Sequence, residues 1–449
     1  MTAMESTSPR GPIDLSAYVE RAKTARGPCP EGRVHQVLGM LVEVSGITAA
    51  VGNQLEVHMG PRRLLLEVLG FREGRVLGAP LGSTAGVEPG ARVTMKPYAA
   101  FAEVGDGLLG RVIDAFGEPL DGRPRPTASG RAPLHAEPPA PFKRRPIHDP
   151  FVTSVRAIDA LLPLGRGQRV GLFAGTGVGK STLLGMLCRH TKADVIVVGL
   201  IGERGREVGD FVRNVLGEEG LARSIVVAAT SDASPFVRVR GALRATALAE
   251  YFRDQGKSVL LVMDSVTRFA MALREASLAA GEPPLTKGYT PSVFAALPTL
   301  LERAGNTEGP GSITAVYTVL VEGDDLNDPI ADAVRGILDG HIVLSRKLGD
   351  RGVFPAIDIL RSVSRLVTDI CTPEHQAAIG AARDLVATYA DAADLIQIGA
   401  YVPGSDPRID AARIGAPKVD ALIRQGLKDA IRREDSLALL GAITGKRVS

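Results

Sequence analysis

Apolar residues change their spacing several times along the chain. Between residues 33 and 100 they fall in short Val/Leu-rich runs, "GRVHQVLGMLVEVSG", "NQLEVHM", "RRLLLEVLGFREGRVLGAPLG" and "GARVTMK", separated by Gly and Pro. Runs this short at this spacing predict a small β-barrel or sandwich. From Gly117 to Pro150 the pattern dissolves under Pro119, Pro124, Pro126, Pro133, Pro138, Pro139, Pro141 and Pro146. Proline has no N–H to give a helix or sheet interior, so this stretch reads as an extended connector over a surface. Its "FKRRP" cluster (Lys143, Arg144, Arg145) could touch phosphates, but it reads first as solvated linker.

From Phe151 onward, near-continuous apolar runs alternate with helical periodicity. The runs are "RVGLFA", "ADVIVVGLIG", "SIVVAA", "SVLLVMD", "SITAVYTVL" and "GHIVLS". Strands apolar on both faces, each followed by a helix, predict a parallel sheet covered on both sides. From about Pro373 the chain is Ala-rich and helical, which predicts a helical C-terminal domain. At the other end, residues 1–12 are polar and expected to be disordered. "DLSAYVERAKTA" then sets Leu15, Tyr18, Val19 and Ala22 on one helical stripe behind a possible Asp14 cap. Such a helix either lies on the neighbouring domain or docks a partner.

Composition narrows the class. A chain of 449 residues that is 45% hydrophobic can bury a large core, and about 150 residues per domain suggests roughly three domains. Lys plus Arg (53) nearly balance Asp plus Glu (50), so no polyelectrolyte signature points to nucleic acid. Trp is absent and aromatics are 4%, which argues against stacking platforms for single strands. Cys29, Cys188 and Cys371 form no CxxC pair, so neither a disulfide framework nor a zinc site is indicated. Cys188 falls on the apolar face of a helix and reads as a buried structural thiol. The seven His residues show no metal-ligand spacing. No run of about 18 apolar residues and no signal-peptide layout is present, so the expected location is cytoplasmic unless a partner holds the chain at a membrane.

The chemistry starts at Ala174-Gly175-Thr176-Gly177-Val178-Gly179-Lys180-Ser181, followed by Thr182. This is the phosphate-loop pattern with Ala for the first Gly, at a position that ends a strand, where a small side chain suffices. The remaining glycines let backbone N–H groups turn toward phosphate, and the helix that opens at Lys180 points its positive end the same way. Lys180 would reach the β- and γ-phosphates, and the Ser181 hydroxyl would ligate Mg²⁺. "SVLLVMDS" then ends a buried strand on Asp264, which can hold the same magnesium through water. "VVGLIGERGREVGDF" ends another strand on Glu203, a carboxylate able to polarise the attacking water. Glu207 reads either as a second such group or as a surface salt bridge.

Taken in order, the phosphate loop, "GLIGERGREV", "VLLVMDSVTRFAMALRE", "GEPPLTKGYTPSVFAALPTLLERAGN", "GSITAVYTVLVEGDDLNDPIADAVRGILDGHIVLSR" and "FPAIDILRSVSRL" resemble the ATPases of type III protein export. These power flagellar assembly and injection machines and are cousins of the catalytic subunits of rotary ATP synthase. The resemblance spans roughly residues 33–440. It implies an α/β fold with a RecA-like P-loop core and mainly parallel sheet, preceded by a small β-barrel and followed by a helical domain. The expected divisions are residues 1–32 for tail and amphipathic helix, 33–99 for the barrel, 100–372 for the ATPase domain including the 117–150 connector, and 373–449 for the C-terminal helices.

The resemblance also implies roles. Glu203 takes the place of the catalytic carboxylate, and Lys180, Ser181, Asp264 and Arg204 fall on other active-site positions. Arg365, in "SVSRL", matches the arginine that an adjacent subunit inserts into the site. Phe354 matches the aromatic that stacks on adenine, although by pattern alone it would read as core. A site completed in trans implies a ring, by resemblance a homohexamer, with ATP as substrate and Mg²⁺ as cofactor. The implied partners are a regulator or stator, a stalk protein, chaperone–substrate complexes and a membrane export gate at which the enzyme sits peripherally. "LIQIGAYVPGSDPRID" stands where ATP synthase carries an acidic stalk-contacting loop, which favours export over the alternative of a rotary synthase or ion-pump subunit. A third reading, a hexameric RNA translocase, lacks an RNA-binding domain here.

Overall fold

The computed structural model describes residues 15, 18, 30–96, 100–321, 325 and 328–448. The stripe expected around residues 14–22 falls mostly outside the described residues. Of it, only Leu15 and Tyr18 are described, both exposed, with the Tyr18 N–H donating to the Leu15 carbonyl at 3.0 Å. The chain divides into two compact units, residues 1–38, 42–79 and 84–97 in one and 39–41, 80–83 and 98–449 in the other.

The first unit is a closed barrel of β1 (Glu31–Leu38), β2 (Leu41–Ser45), β3 (Gln54–Met59), β4 (Arg62–Arg72), β5 (Arg75–Pro80) and β6 (Arg92–Lys96), in the order β1-β2-β5-β4-β3-β6. Alternation explains it: Leu64, Leu66 and Val68 of β4 point inward with Leu55, Val57 and Val93, while the residues between them face out.

The second unit begins with β7 (Phe101–Val104), β8 (Arg111–Asp114) and β9 (Gly130–Pro133), then β10 (Pro150–Phe151) and β11 (Leu164–Gly165). Its main strands are β12 (Arg169–Ala174), β13 (Val195–Ile201), β14 (Ser224–Ala229), β15 (Ser258–Asp264), β16 (Gly305–Asn306), β17 (Ser312–Leu320), β18 (Gly340–Val343) and β19 (Val363–Ser364). The large sheet runs β19-β18-β12-β17-β15-β13-β14-β8 and is parallel throughout except at β19, with β16 pairing antiparallel to β17 off this path. This is the mainly parallel sheet that the alternating runs predict. Along β15, Leu260 and Val262 enter one apolar cluster and Val259, Leu261 and Met263 the other. Helices cover both faces, which is why these runs are apolar without alternation.

The C-terminal helices Pro373–Gln397, Pro407–Ile423 and Arg433–Thr444 are present, and their Ala378, Ile379, Val419, Leu422 and Leu440 share a cluster with Val155 and Ile158. Two features differ from expectation. The Pro-rich connector is extended, but β9 within it pairs with β7. Its basic cluster is not simply solvated. Arg144 pairs with the Glu302 carboxylate at 3.1 Å and donates to the Ala304 carbonyl at 2.9 Å, while Arg145 donates to the Thr307 carbonyl at 3.0 Å. Guanidinium forks find backbone acceptors at the end of helix Pro291–Leu301 and tie the connector down. Cys188 is fully buried, and burial pushes its thiol up to about 12, so it is an unreactive core group; Cys29 lies outside the described residues. Among the described residues no helix is long and apolar enough to cross a membrane.

Candidate nucleotide site

β12 is buried along Val170–Ala174 and delivers the loop at its C-terminal end. Ala174 is fully buried there, consistent with a small residue sufficing. Gly177 and Gly179 adopt φ of +81° and +90°, left-handed conformations that glycine enters at no steric cost. Helix Lys180–His190 follows at once, held to the core by Leu183, Leu184, Met186 and Leu187. The N-terminus of a helix presents N–H groups without intrahelical partners, an arrangement that favours an anion at the loop.

Gly175, Thr176, Gly177, Gly179, Lys180, Ser181 and Thr182 line a cleft of about 480 Å³. Val178 is the exception, because its side chain is 3% exposed and packed in the core, which leaves only its backbone for a ligand. Glu203, Arg204 and Glu207 line the same cleft. The Arg204 side chain is 82% exposed and lies 3.7 Å from Glu207, so Glu207 forms a rim ion pair in this structure. An added Cβ on Gly179 would meet the Phe354 ring at 3.5 Å. Phe354 therefore sits beside the loop, and at 42% exposure it is not a core residue as pattern alone suggests.

The Lys180 ammonium donates to Asp264 Oδ1 at 2.6 Å and lies 3.6 Å from Glu203 Oε1. Burial pulls its pKa down, but the two carboxylates outweigh that and hold it above the ordinary value. Burial and the Asp264 charge push Glu203 up to about 7 against the opposing pull of Lys180. Asp264 is 3% exposed and also accepts from the Thr318 hydroxyl at 2.8 Å.

Ser181, Glu203 and Asp264 line one further pocket of about 290 Å³. A hydroxyl with two carboxylates is a hard, all-oxygen donor set of the kind Mg²⁺ takes, and among the described residues no richer cluster of His, Cys and acids exists. Magnesium on a nucleotide needs only one or two protein oxygens, because phosphates and water supply the rest.

Two groups escaped the sequence reading. Thr318 has no motif of its own and reaches Asp264 only because β17 lies beside β15, with Tyr317 in register with Met263. Arg268 lies on the helix that starts at Val266, lines the cleft, and has a buried Nε without a hydrogen-bond partner. A cation one turn beyond the strand-ending Asp264 was the signal available for it.

Arg365 is not in this cleft. It follows β19, where Ser364 pairs with Gly340, and His341 pairs with Gly171. That register puts Arg365 at the starting edge of β12, and Gly175 lies about five residues away, roughly 16 Å along the strand. The Arg365 side chain is exposed, with Nη2 donating to the Arg335 carbonyl at 3.2 Å.

A phosphate loop at the carboxyl edge of a mainly parallel sheet, with acidic groups on neighbouring strand tips, defines the class of P-loop nucleotide-binding enzymes. The ATP synthase alpha/beta family matches in two stretches, its beta-barrel domain over residues 34–96 and its nucleotide-binding domain over 154–364. The T3SS EscN ATPase C-terminal domain matches residues 371–442. The chain belongs to the ATP synthase alpha/beta family, in the branch of type III export ATPases. It is 50% identical over 434 residues to the flagellum-specific ATP synthase of Pseudomonas aeruginosa, covering 96% of each chain. Its fold superposes on the assembled ATPase EscN of the enteropathogenic E. coli type III secretion system with a TM-score of 0.87 at 45% identity, over 92% of this chain and 100% of that one. EscN in complex with its central stalk EscO gives 0.86 at 44% identity, with the same coverage.

Proposed function

We propose that this ATPase is the motor of a type III protein export apparatus and hydrolyses ATP at the subunit interfaces of a homohexamer. The observation that carries the interface is the placement of Arg365: the cleft and the further pocket that shares Ser181 and Glu203 with it hold the loop, Lys180, Glu203 and Asp264, while Arg365 stands exposed at the far edge of the same sheet. A head-to-tail ring brings one chain's Arg365 edge to the next chain's cleft, and such heterologous contacts close into rings.

In this reading the loop backbone and Lys180 bind the phosphates, and Phe354 supports adenine beside Gly179. Phosphate competes for the Lys180 ammonium, and its transfer frees both carboxylates. Glu203 takes the proton of the attacking water as the bond between the γ-phosphorus and the bridging oxygen breaks, leaving ADP and inorganic phosphate. Ser181, and Asp264 through water, would hold Mg²⁺, which neutralises phosphate charge when bound. Arg365 and Arg204 stabilise charge on the transferring group.

The C-terminal match to the T3SS ATPase domain favours export over a rotary synthase role. A stalk protein is the partner supported by the EscN–EscO complex. A regulator or stator, chaperone–substrate complexes released by hydrolysis, and peripheral attachment to a membrane export gate complete the proposal; nucleic acid has no part in it.

The test is complementation in mixed rings. Arg365→Ala should lower kcat by at least about 10³. Mixing it with Glu203→Gln should recover part of the activity, because some interfaces then pair an intact carboxylate with an intact arginine. Absence of recovery in rings shown to be mixed refutes the shared site.

A further inference from the structure

The segment that presents Arg365 is anchored by a buried amide, and we propose that Gln168 is the positioning residue for Arg365. The inference rests on the interface-shared site above. Gln168 is fully buried, one residue before β12. Its Oε1 accepts from the Gly165 N–H at 2.8 Å. Its Nε2 donates to the Asp339 carbonyl at 3.0 Å and to the Ser364 hydroxyl at 3.3 Å.

Both acceptors belong to the mounting of the arginine. The Arg365 N–H donates to the same Asp339 carbonyl at 3.0 Å, and Ser364 is its chain neighbour, with a hydroxyl that donates to the Pro163 carbonyl at 2.7 Å. Asp339 is clamped in turn: its carboxylate accepts from the Arg169 backbone N–H, Nε and Nη2, each at 3.0 Å. Gly340 lets the strands approach, since a Cβ there would meet the Val363 carbonyl at 2.6 Å and Gln168 Nε2 at 3.3 Å.

A buried amide with both ends satisfied specifies one geometry, because moving any partner leaves a polar group unpaired away from water. The base of the arginine is thus fixed to the root of β12, while its exposed guanidinium makes a single bond among the described residues, to the Arg335 carbonyl. A fixed backbone with an exposed tip suits a side chain that must enter a cleft on another chain, where a 1 Å error can cost about 10²-fold in rate.

The experiment is a double-mutant cycle on the full-length chain, with kcat and equilibrium ATP binding measured for Gln168→Met, Arg365→Ala and the pair. Gln168→Met keeps the shape and removes the amide. It should lower kcat by roughly 10- to 100-fold, leave ATP affinity unchanged, and cost nothing further in the Arg365→Ala background. Ser364→Ala removes one acceptor from a less buried site and should show the same dependence with a smaller loss; it carries the test if Gln168→Met proves unstable on thermal unfolding. A full loss that persists in the Arg365→Ala background, or an unchanged kcat, overturns the positioning role. A wild-type kcat for Arg365→Ala alone instead overturns the shared-site reading, and the inference falls with it.

Discussion

The base proposed at Glu203 depends on where β13 ends. Two residues past the buried strand, it shares space with Asp264 and is only partly neutralised by Lys180, and burial with that like charge raises it to about 7. An acid–base group is most effective when its pKa lies near the working pH. The base must be ionised to take a proton, so kcat/KM should fall as pH drops through about 7, not through the ordinary carboxylate range near 4.5. A pH–rate profile checks this, and an acid limb at the ordinary value argues against Glu203. Glu203→Gln should abolish turnover while ATP binding persists, since the loop is untouched; wild-type turnover would sink the assignment. Val178 and Phe354 show how single residues trade places: one turns into the core, the other stands beside the loop.

At the scale of elements, strand register decides what a motif cannot. The parallel pairing of β15 with β17 sets the Thr318 hydroxyl on Asp264, and that of β12 with β18 sends Arg365 to the opposite edge from the loop. Thr318→Val keeps the shape and removes a donor from a buried carboxylate, a loss of about 1.5–3 kcal/mol for a bond to a charged group. Thermal unfolding of the nucleotide-free chain should register it, and a melting curve superimposable on that of the wild type would refute it. β8 and β19 were not legible beforehand. Each is short, and β8 earns its place only by lying against β14 while β19 lies against β18.

At the scale of the molecule, the proposed division of the site between chains would make activity depend on assembly. Steady-state ATPase activity of the chain alone should rise steeply with its own concentration as identical chains complete one another's sites. Inactivity at every concentration despite ATP binding would point to a missing, non-identical subunit.

The long buried strands β12, β14, β15 and β17, the phosphate loop, and the carboxylates Glu203 and Asp264 were readable from the chain itself. Their signals are local: runs of apolar residues, glycines where φ must be positive, an acid where a strand stops. Tertiary structure alone decided which side chains meet. Thr318 reaches Asp264 across 54 residues, Gln168 reaches Asp339 across 171, and Arg144 reaches Ala304 across 160. Such contacts are fixed by which strands lie side by side and in what register, and that order follows from burying both faces of one sheet, a property of the whole fold that no window of sequence contains.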